Sequence, residues 1–271
     1  MCLKIIPFID ENYVKKIIND QGVDCIFSYI SGSVVEGFGN NKSDIDIFII
    51  CEKEELLLLS KNTTKQEGER ILKNMIYQGR RYDLEFIPHS YIKNLVTTLS
   101  QMNFKNEGYL EEITEQDIDF LHRFNSSKCI VHKNVYSAFK KENSKLENNL
   151  RLYIGIKNSL ELQSMIEDIQ GAIEENNLPT AHIMLKRYSE LILTTYLALN
   201  GQTNTKVKWN WKKISKMDEY TKDKLEDYFM VYDGYKFDKD NFIEHFKTVM
   251  KYSQLLNLEI QKKIKILIGE E

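Results

Sequence analysis

Ser31-Gly32-Ser33-Val34-Val35-Glu36-Gly37-Phe38-Gly39-Asn40-Asn41-Lys42-Ser43-Asp44-Ile45-Asp46-Ile47-Phe48-Ile49-Ile50-Cys51 is the stretch that decides how this chain is read. Its last part, Ile45–Cys51, is apolar at almost every position, the pattern of a strand covered on both faces in the middle of a sheet. Residues two apart on a strand point to the same side, so Asp44 and Asp46 set two carboxylates together while Ile45, Ile47 and Ile49 enter a core. Two such carboxylates repel each other unless a cation neutralises them. Magnesium, a hard ion that takes oxygen ligands and shares them with phosphates, suits the pair. Upstream, Gly32 lets the backbone approach a phosphate and Ser33 adds a hydroxyl. A short helix opening at Val34–Glu36 would aim backbone N–H groups at the same anion.

The flanking sequence extends this into an alternating α and β arrangement. A helix is expected over residues 9–20, with Asp10 as N-cap and Val14, Ile17 and Ile18 as its apolar face. Cys25–Ile30 reads as a buried strand, and Gly37-Phe38-Gly39-Asn40-Asn41 as a loop. Residues 64–74 read as a helix. Met75–Gln78 and Tyr82–Ile87 read as an antiparallel pair turning at Gly79-Arg80, with a helix from about Ser90. A site that clamps two metal ions wants a third carboxylate from a neighbouring strand. Tyr82-Asp83-Leu84-Glu85-Phe86 offers Asp83 and Glu85 on one face, and composition leaves the choice open.

Beyond residue 135 the pattern becomes helical. Apolar positions recur at helix spacing over 138–176, Pro179 restarts the chain, and Ala181–Leu199 ends at the stop signal Asn200-Gly201. Further helices are expected over 217–231 and 240–267. The expected fold is an α/β (α+β) domain with a small mixed sheet, residues 1–135, followed by an all-helical domain, residues 136–271. With 42% hydrophobic and 28% charged residues, the 271-residue chain has enough apolar material for two cores. A net charge of −3 speaks against a broad polyanion-binding surface. Cys2, Cys25, Cys51 and Cys129 are far apart and read as buried apolar fillers in a reduced, cytoplasmic protein. No apolar run reaches membrane-spanning length, and the N-terminus lacks the order of a signal peptide.

Gly-Ser, ten residues, then Asp-x-Asp between apolar residues resembles the signature of the DNA polymerase β-type nucleotidyltransferase superfamily. Within it, Ser31-Gly32-Ser33-Val34-Val35-Glu36-Gly37 and Ser43-Asp44-Ile45-Asp46 are most similar to the bacterial aminoglycoside nucleotidyltransferases. In the adenylyltransferases of that group the third carboxylate lies on a strand that runs into His-Ser. Tyr82-Asp83-Leu84-Glu85-Phe86-Ile87-Pro88-His89-Ser90 matches that pattern with Asp83 in the ligand position. The resemblance is specific over roughly residues 24–90 and architectural beyond. It implies two magnesium ions on Asp44, Asp46 and Asp83, and ATP or another nucleoside triphosphate held by Gly32 and Ser33. It also implies a helical domain supplying a general base and a lysine that touches the phosphates. Lys186 and Glu190, four apart on one helix face, are the candidates for these, with Glu111, Glu112 and Glu115 as other candidate bases.

The acceptor implied is a small hydroxylated molecule such as an aminoglycoside, which would make the chain an antibiotic-resistance enzyme. Glu111, Glu112, Glu115, Asp117 and Asp119 could draw in a polycation, or form a solvated helix face. Two other readings compete: a toxin-like nucleotidyltransferase acting on tRNA or a protein, and an inactive nucleotide-binding regulatory module. The first would use Trp209 and Trp211 among Lys206, Lys208, Lys212 and Lys213, although paired tryptophans are more often core and rim. His89, His122, His132, His182 and His245 are scattered with no metal-ligand spacing. A homodimer that shares cleft residues is compatible with the resemblance, and no membrane partner is expected.

Overall fold

The computed structural model describes residues 9–59, 64–105 and 113–269, so Glu111, Glu112 and Cys2 lie outside the described residues. The chain forms two compact units. One contains the described residues up to Gln101 together with Ile113–Glu147, and the other contains residues 102–105 together with the described residues from Asn148 onward. The first unit thus runs past residue 135, because the helix Lys133–Ser144 packs on its sheet.

The first unit opens with α1, Glu11–Asn19, capped by Asp10, whose carboxylate accepts from the backbone N–H groups of Asn12 at 3.0 Å and Tyr13 at 3.2 Å. Six strands follow: β1 (Cys25–Ser31), β2 (Ile45–Cys51), β3 (Lys65–Glu67), β4 (Arg70–Tyr77), β5 (Arg80–Pro88) and β6 (Lys128–Val131). They form one mixed sheet in the order β3-β4-β5-β2-β1-β6. Only β2 and β5 run parallel; the other neighbours are antiparallel. Helices α2 (His89–Gln101), α3 (Glu115–Asn125) and α4 (Lys133–Ser144) complete the unit.

Alternation along the central strands produces two unlike faces. Ile45, Ile47 and Ile49 of β2 join Ile30 of β1 and Tyr82, Leu84 and Phe86 of β5 in a core closed by Val14, Ile17 and Ile18 of α1. The opposite face is aromatic. Tyr29 of β1 and Phe48 of β2 stack at 4.8 Å between ring centres, and Phe124 of α3 and Tyr136 of α4 close over Tyr29. This is the face that also carries Asp44, Asp46, Asp83 and Glu85.

Three local expectations are corrected. Residues 64–74 are not a helix but a hairpin, β3 turning into β4 at Gly68, whose φ is 61°. The Lys, Gln, Glu, Arg and Leu content favours helix, but pairing of β4 along β5 overrides it and sends Ile71 and Met75 into the core. Val34–Glu36 forms tight turns instead of a short helix: Val35 and Glu36 both donate their backbone N–H to the Gly32 carbonyl at 3.1 Å. The β4–β5 turn is centred on Gln78-Gly79, one residue earlier than expected. Both have positive φ, 48° and 74°, as a two-residue hairpin with right-handed twist demands.

The second unit is helical: α5 (Glu147–Glu174), α6 (Leu178–Leu199), a short α7 (Asn210–Ile214), α8 (Glu219–Asp233) and α9 (Phe242–Ile268). Pro179 stands in the first turn of α6, where its missing N–H costs no hydrogen bond, and Gly201, with φ of 85°, ends the helix. α6 packs along α9, and the buried Tyr228 hydroxyl meets Ser253 Oγ at 2.9 Å. Among the described residues no helix is long and apolar enough to cross a membrane.

One cluster in this unit was not legible from spacing. His182 of α6 and His245 of α9 bring their ring centres to 6.5 Å, and Tyr235 stacks on His245 at 3.6 Å. Burial lowers the pKa of both, assisted by Lys186 for His182 and by His182 for His245. A base whose folded pKa lies below its unfolded value adds stability that is present above the unfolded value and lost as pH falls through it. Thermal unfolding should therefore move to lower temperature between about pH 7.5 and pH 5.5, around the unperturbed histidine value near 6.5. The double variant His182→Phe/His245→Phe should flatten that dependence, and an unchanged slope in differential scanning calorimetry would remove these two histidines as its source.

Candidate active site

The candidate site begins with register. β2 and β5 run in parallel with Asp46 opposite Asp83 and Phe48 opposite Glu85, while β1 places Ser31 opposite Asp46. Asp44 precedes β2 by one residue and faces the same way as Asp46. The structure thus brings Asp44, Asp46 and Asp83 together on one face of the central strands.

Gly32 follows β1 directly, with φ of 83°. A side chain there would be strained in the left-handed region, and its Cβ would collide with Oδ2 of Asp46. The glycine serves backbone conformation and at the same time leaves room beside that carboxylate. Ser33 begins the turn, and its carbonyl accepts from the N–H groups of Phe38 at 2.8 Å and Gly39 at 2.7 Å. That loop is tied down by Glu36, whose carboxylate lies 3.3 Å from Nε2 of the buried His122 on α3.

Two arginines that sequence reasoning passed over answer the carboxylates. Arg81, on the same face of β5 as Asp83, reaches Asp83 at 2.9 Å and also pairs with Asp44. Arg123 of α3 sets Nη1 at 2.9 Å from Oδ1 of Asp46 and Nε at 2.7 Å from Asp119. Its guanidinium lies over the Phe48 ring, and its backbone carbonyl accepts from Ser31 Oγ at 2.6 Å. Arg81 was readable from alternation, two residues before Asp83. Arg123 is far away in sequence, and nothing local marks it.

The electrostatics follow from burial. Desolvation raises the pKa of Asp46; Arg123 pulls it back, and Asp44 and Asp83 push it up again. Asp83 is likewise raised, first by desolvation, opposed by Arg81 and reinforced by Asp44. Burial works against the charge of Arg123, yet Asp46 and Asp119 outweigh it, so its pKa is raised. Glu85, one step along β5, is engaged differently: Arg70 approaches it at 3.4 Å and also donates to Gln116 at 2.9 Å.

The donor set fits a hard divalent cation. It consists of carboxylate oxygens, and Oδ1 of Asp83 is buried with no hydrogen-bond donor. Among the described residues, however, no three His, Cys, Asp or Glu side chains converge on one point; Arg81 bridges Asp44 and Asp83, while Arg123 pairs with Asp46.

Other candidates have different settings. Asp117 completes a capping box with Thr114 and accepts from Tyr91, and Asp119 is taken by Arg123, so these two acids serve α3. Lys186 lies in the helical unit and pairs with Asp233 at 2.7 Å. Glu190, one turn along α6, has its pKa raised by burial, lowered by Lys186 and raised by Asp233. Of the Lys206–Lys213 stretch, Lys213 is buried, whereas Lys206, Lys208 and Lys212 are exposed, as is Trp211, which touches Phe229.

The chain matches no family model and no curated protein. Among solved structures it is similar to a nucleotidyltransferase-like protein from Exiguobacterium sibiricum, with 10% identity over 94% of this chain and 78% of that one and a TM-score of 0.49. So distant a likeness in shape carries no argument about activity, which must come from the site.

Gly32→Ala isolates the turn. A non-glycine residue in the left-handed region costs about 1–3 kcal/mol, and the added Cβ displaces Asp46. Urea unfolding should show a loss of that order and Mn²⁺ titration a weaker site. Wild-type values in both would mean that the turn relaxes without involving Asp46.

Proposed function

We propose that this chain is a metal-dependent nucleotidyltransferase that moves a nucleoside monophosphate from a nucleoside triphosphate, ATP being the expected donor, to an acceptor hydroxyl with release of pyrophosphate. The observation that carries this reading is the register that sets Asp46 opposite Asp83 beside the left-handed Gly32 turn. Carboxylates from two adjacent strands facing a glycine turn provide both halves of what such a transfer needs: phosphate positioning and charge neutralisation.

In this reading Gly32 lets the polyphosphate approach the backbone, and the Ser33 hydroxyl donates to its β- and γ-phosphate oxygens. Asp44, Asp46 and Asp83 hold magnesium, which when bound neutralises charge on the phosphates and lowers the pKa of the attacking hydroxyl. Asp83 is the carboxylate on the acceptor side. The candidate general base is Glu190 and the candidate phosphate-contacting lysine is Lys186, both on α6. The raised pKa of Glu190 suits a base that must both accept and release a proton.

The acceptor proposed is a small polyhydroxylated cation of the aminoglycoside class. The net charge of −3 is compatible with a cationic acceptor. Buried Lys213 weakens the case for an RNA surface over Lys206–Lys213.

The test is pyrophosphate release from each of the four triphosphates with magnesium, against an aminoglycoside panel, tRNA and no acceptor. Turnover with an aminoglycoside is expected, and Asp46→Asn should lower it by on the order of 100-fold or more, the usual cost of losing one preorganised charge-stabilising group. Full turnover by Asp46→Asn at saturating magnesium would sink the assignment. Activity on tRNA alone, declining steeply with salt, would replace the acceptor but keep the donor chemistry.

A further inference from the structure

The two arginines at the carboxylates are not equivalent. Arg81 has a side chain 55% exposed and pairs with Asp44 and Asp83, whose side chains are 32% and 23% exposed. Ion pairs this open to water contribute little and exchange readily, so a divalent cation can take Arg81's place. Arg123 is only 18% exposed. It is fixed from several directions: by Asp46, by Asp119, by the Phe48 ring, and through its carbonyl by Ser31. Removing Asp46 from this guanidinium would leave a buried charge half-compensated, which proteins avoid.

That difference bears on how many ions the site accepts. A carboxylate that joins two metal ions about 3.5–4 Å apart gives one oxygen to each. Oδ1 of Asp46 already lies 2.9 Å from Arg123 Nη1. Oδ2 points to the space that Gly32 leaves free of a Cβ. Oδ2 is therefore the Asp46 oxygen that faces away from Arg123.

Resting on the nucleotidyltransferase reading, we infer that Arg123 stands in the place of a second metal ion, so that the site takes one divalent cation, on Asp44, Asp83 and Oδ2 of Asp46, with Arg123 as a permanent cation on Oδ1. This departs from the two ions that the sequence resemblance implies. Arg81 leaves its carboxylates when the ion arrives, whereas Arg123 stays. Arg123 is thus a positioning residue: it fixes which oxygen of Asp46 faces the ion and supplies fixed positive charge behind it.

Mn²⁺ reports the count without turnover. The full chain is kept in excess over α,β-methylene ATP, so that free nucleotide does not hold the metal, and Mn²⁺ is followed by electron paramagnetic resonance. The wild type should bind one Mn²⁺ per nucleotide-loaded chain with an uncoupled six-line signal. Arg123→Lys, which keeps the charge, should do the same. Arg123→Leu frees Oδ1 and should admit a second, spin-coupled Mn²⁺. Two coupled ions in the wild type overturn the inference even if Arg123→Leu does not fold. A folded Arg123→Leu that still binds one ion overturns the role of Arg123. No protein-dependent Mn²⁺ signal in any variant defeats the metal-dependent reading itself, a failure distinct from the other two.

Discussion

The parallel pairing of β2 with β5 is the constraint on which the rest of the site depends. Side chains alternate along a strand, so a one-residue slip would turn every side chain of β5 to the other face. The observed register aligns Asp46 with Asp83 and Ile47 with Leu84, so the acids share one face and the aliphatics share the other. The hydrophobic core beneath fixes where the carboxylates stand above. Packing Ile45, Ile47, Ile49, Leu84 and Phe86 against α1 is incompatible with a one-residue slip, which would turn the acids of β5 into the core.

The same packing creates the electrostatic problem that the arginines answer. Desolvation raises the pKa of Asp46, Asp83 and Glu85, and each is countered by a guanidinium: Arg123, Arg81 and Arg70 respectively. A buried carboxylate with no counter-charge would simply protonate. The arginines come from separate elements, α3, β5 and β4, so the charge balance ties the elements of the first unit to one another. α3 has the largest part. His122 steadies the loop after β1 through Glu36, Arg123 takes Asp46, and Ser31 donates to the Arg123 carbonyl.

What was legible in the sequence follows the range of the interactions. The Asp10 cap, the buried β2 run, Pro179 and Gly201 all act over a few residues, and their elements stand where local rules put them. The expectation for 64–74 failed because its residues favour helix while its partner strand, β5, decides the outcome from a distance. In the site, Gly32, Asp44 and Asp46 were marked by spacing and alternation. Arg123 was not, because the contact between residues 46 and 123 is made by tertiary packing alone. The pair His182 and His245 is hidden for the same reason, one on α6 and the other on α9.

Asp83 and Glu85 have different tertiary surroundings. Both point to the same face, so alternation treats them alike. Asp83 lies opposite Asp46, interacts with Asp44, and keeps Oδ1 buried without a donor. Glu85 lies opposite the Phe48 ring and answers Arg70, which Gln116 of α3 also engages. Moving a ligand role to Glu85 would leave buried Arg70 without its carboxylate and would set the ion against an aromatic ring. The two acids therefore divide the work: Asp83 faces the Gly32 side with Asp44 and Asp46, and Glu85 anchors β5 to β4 through Arg70.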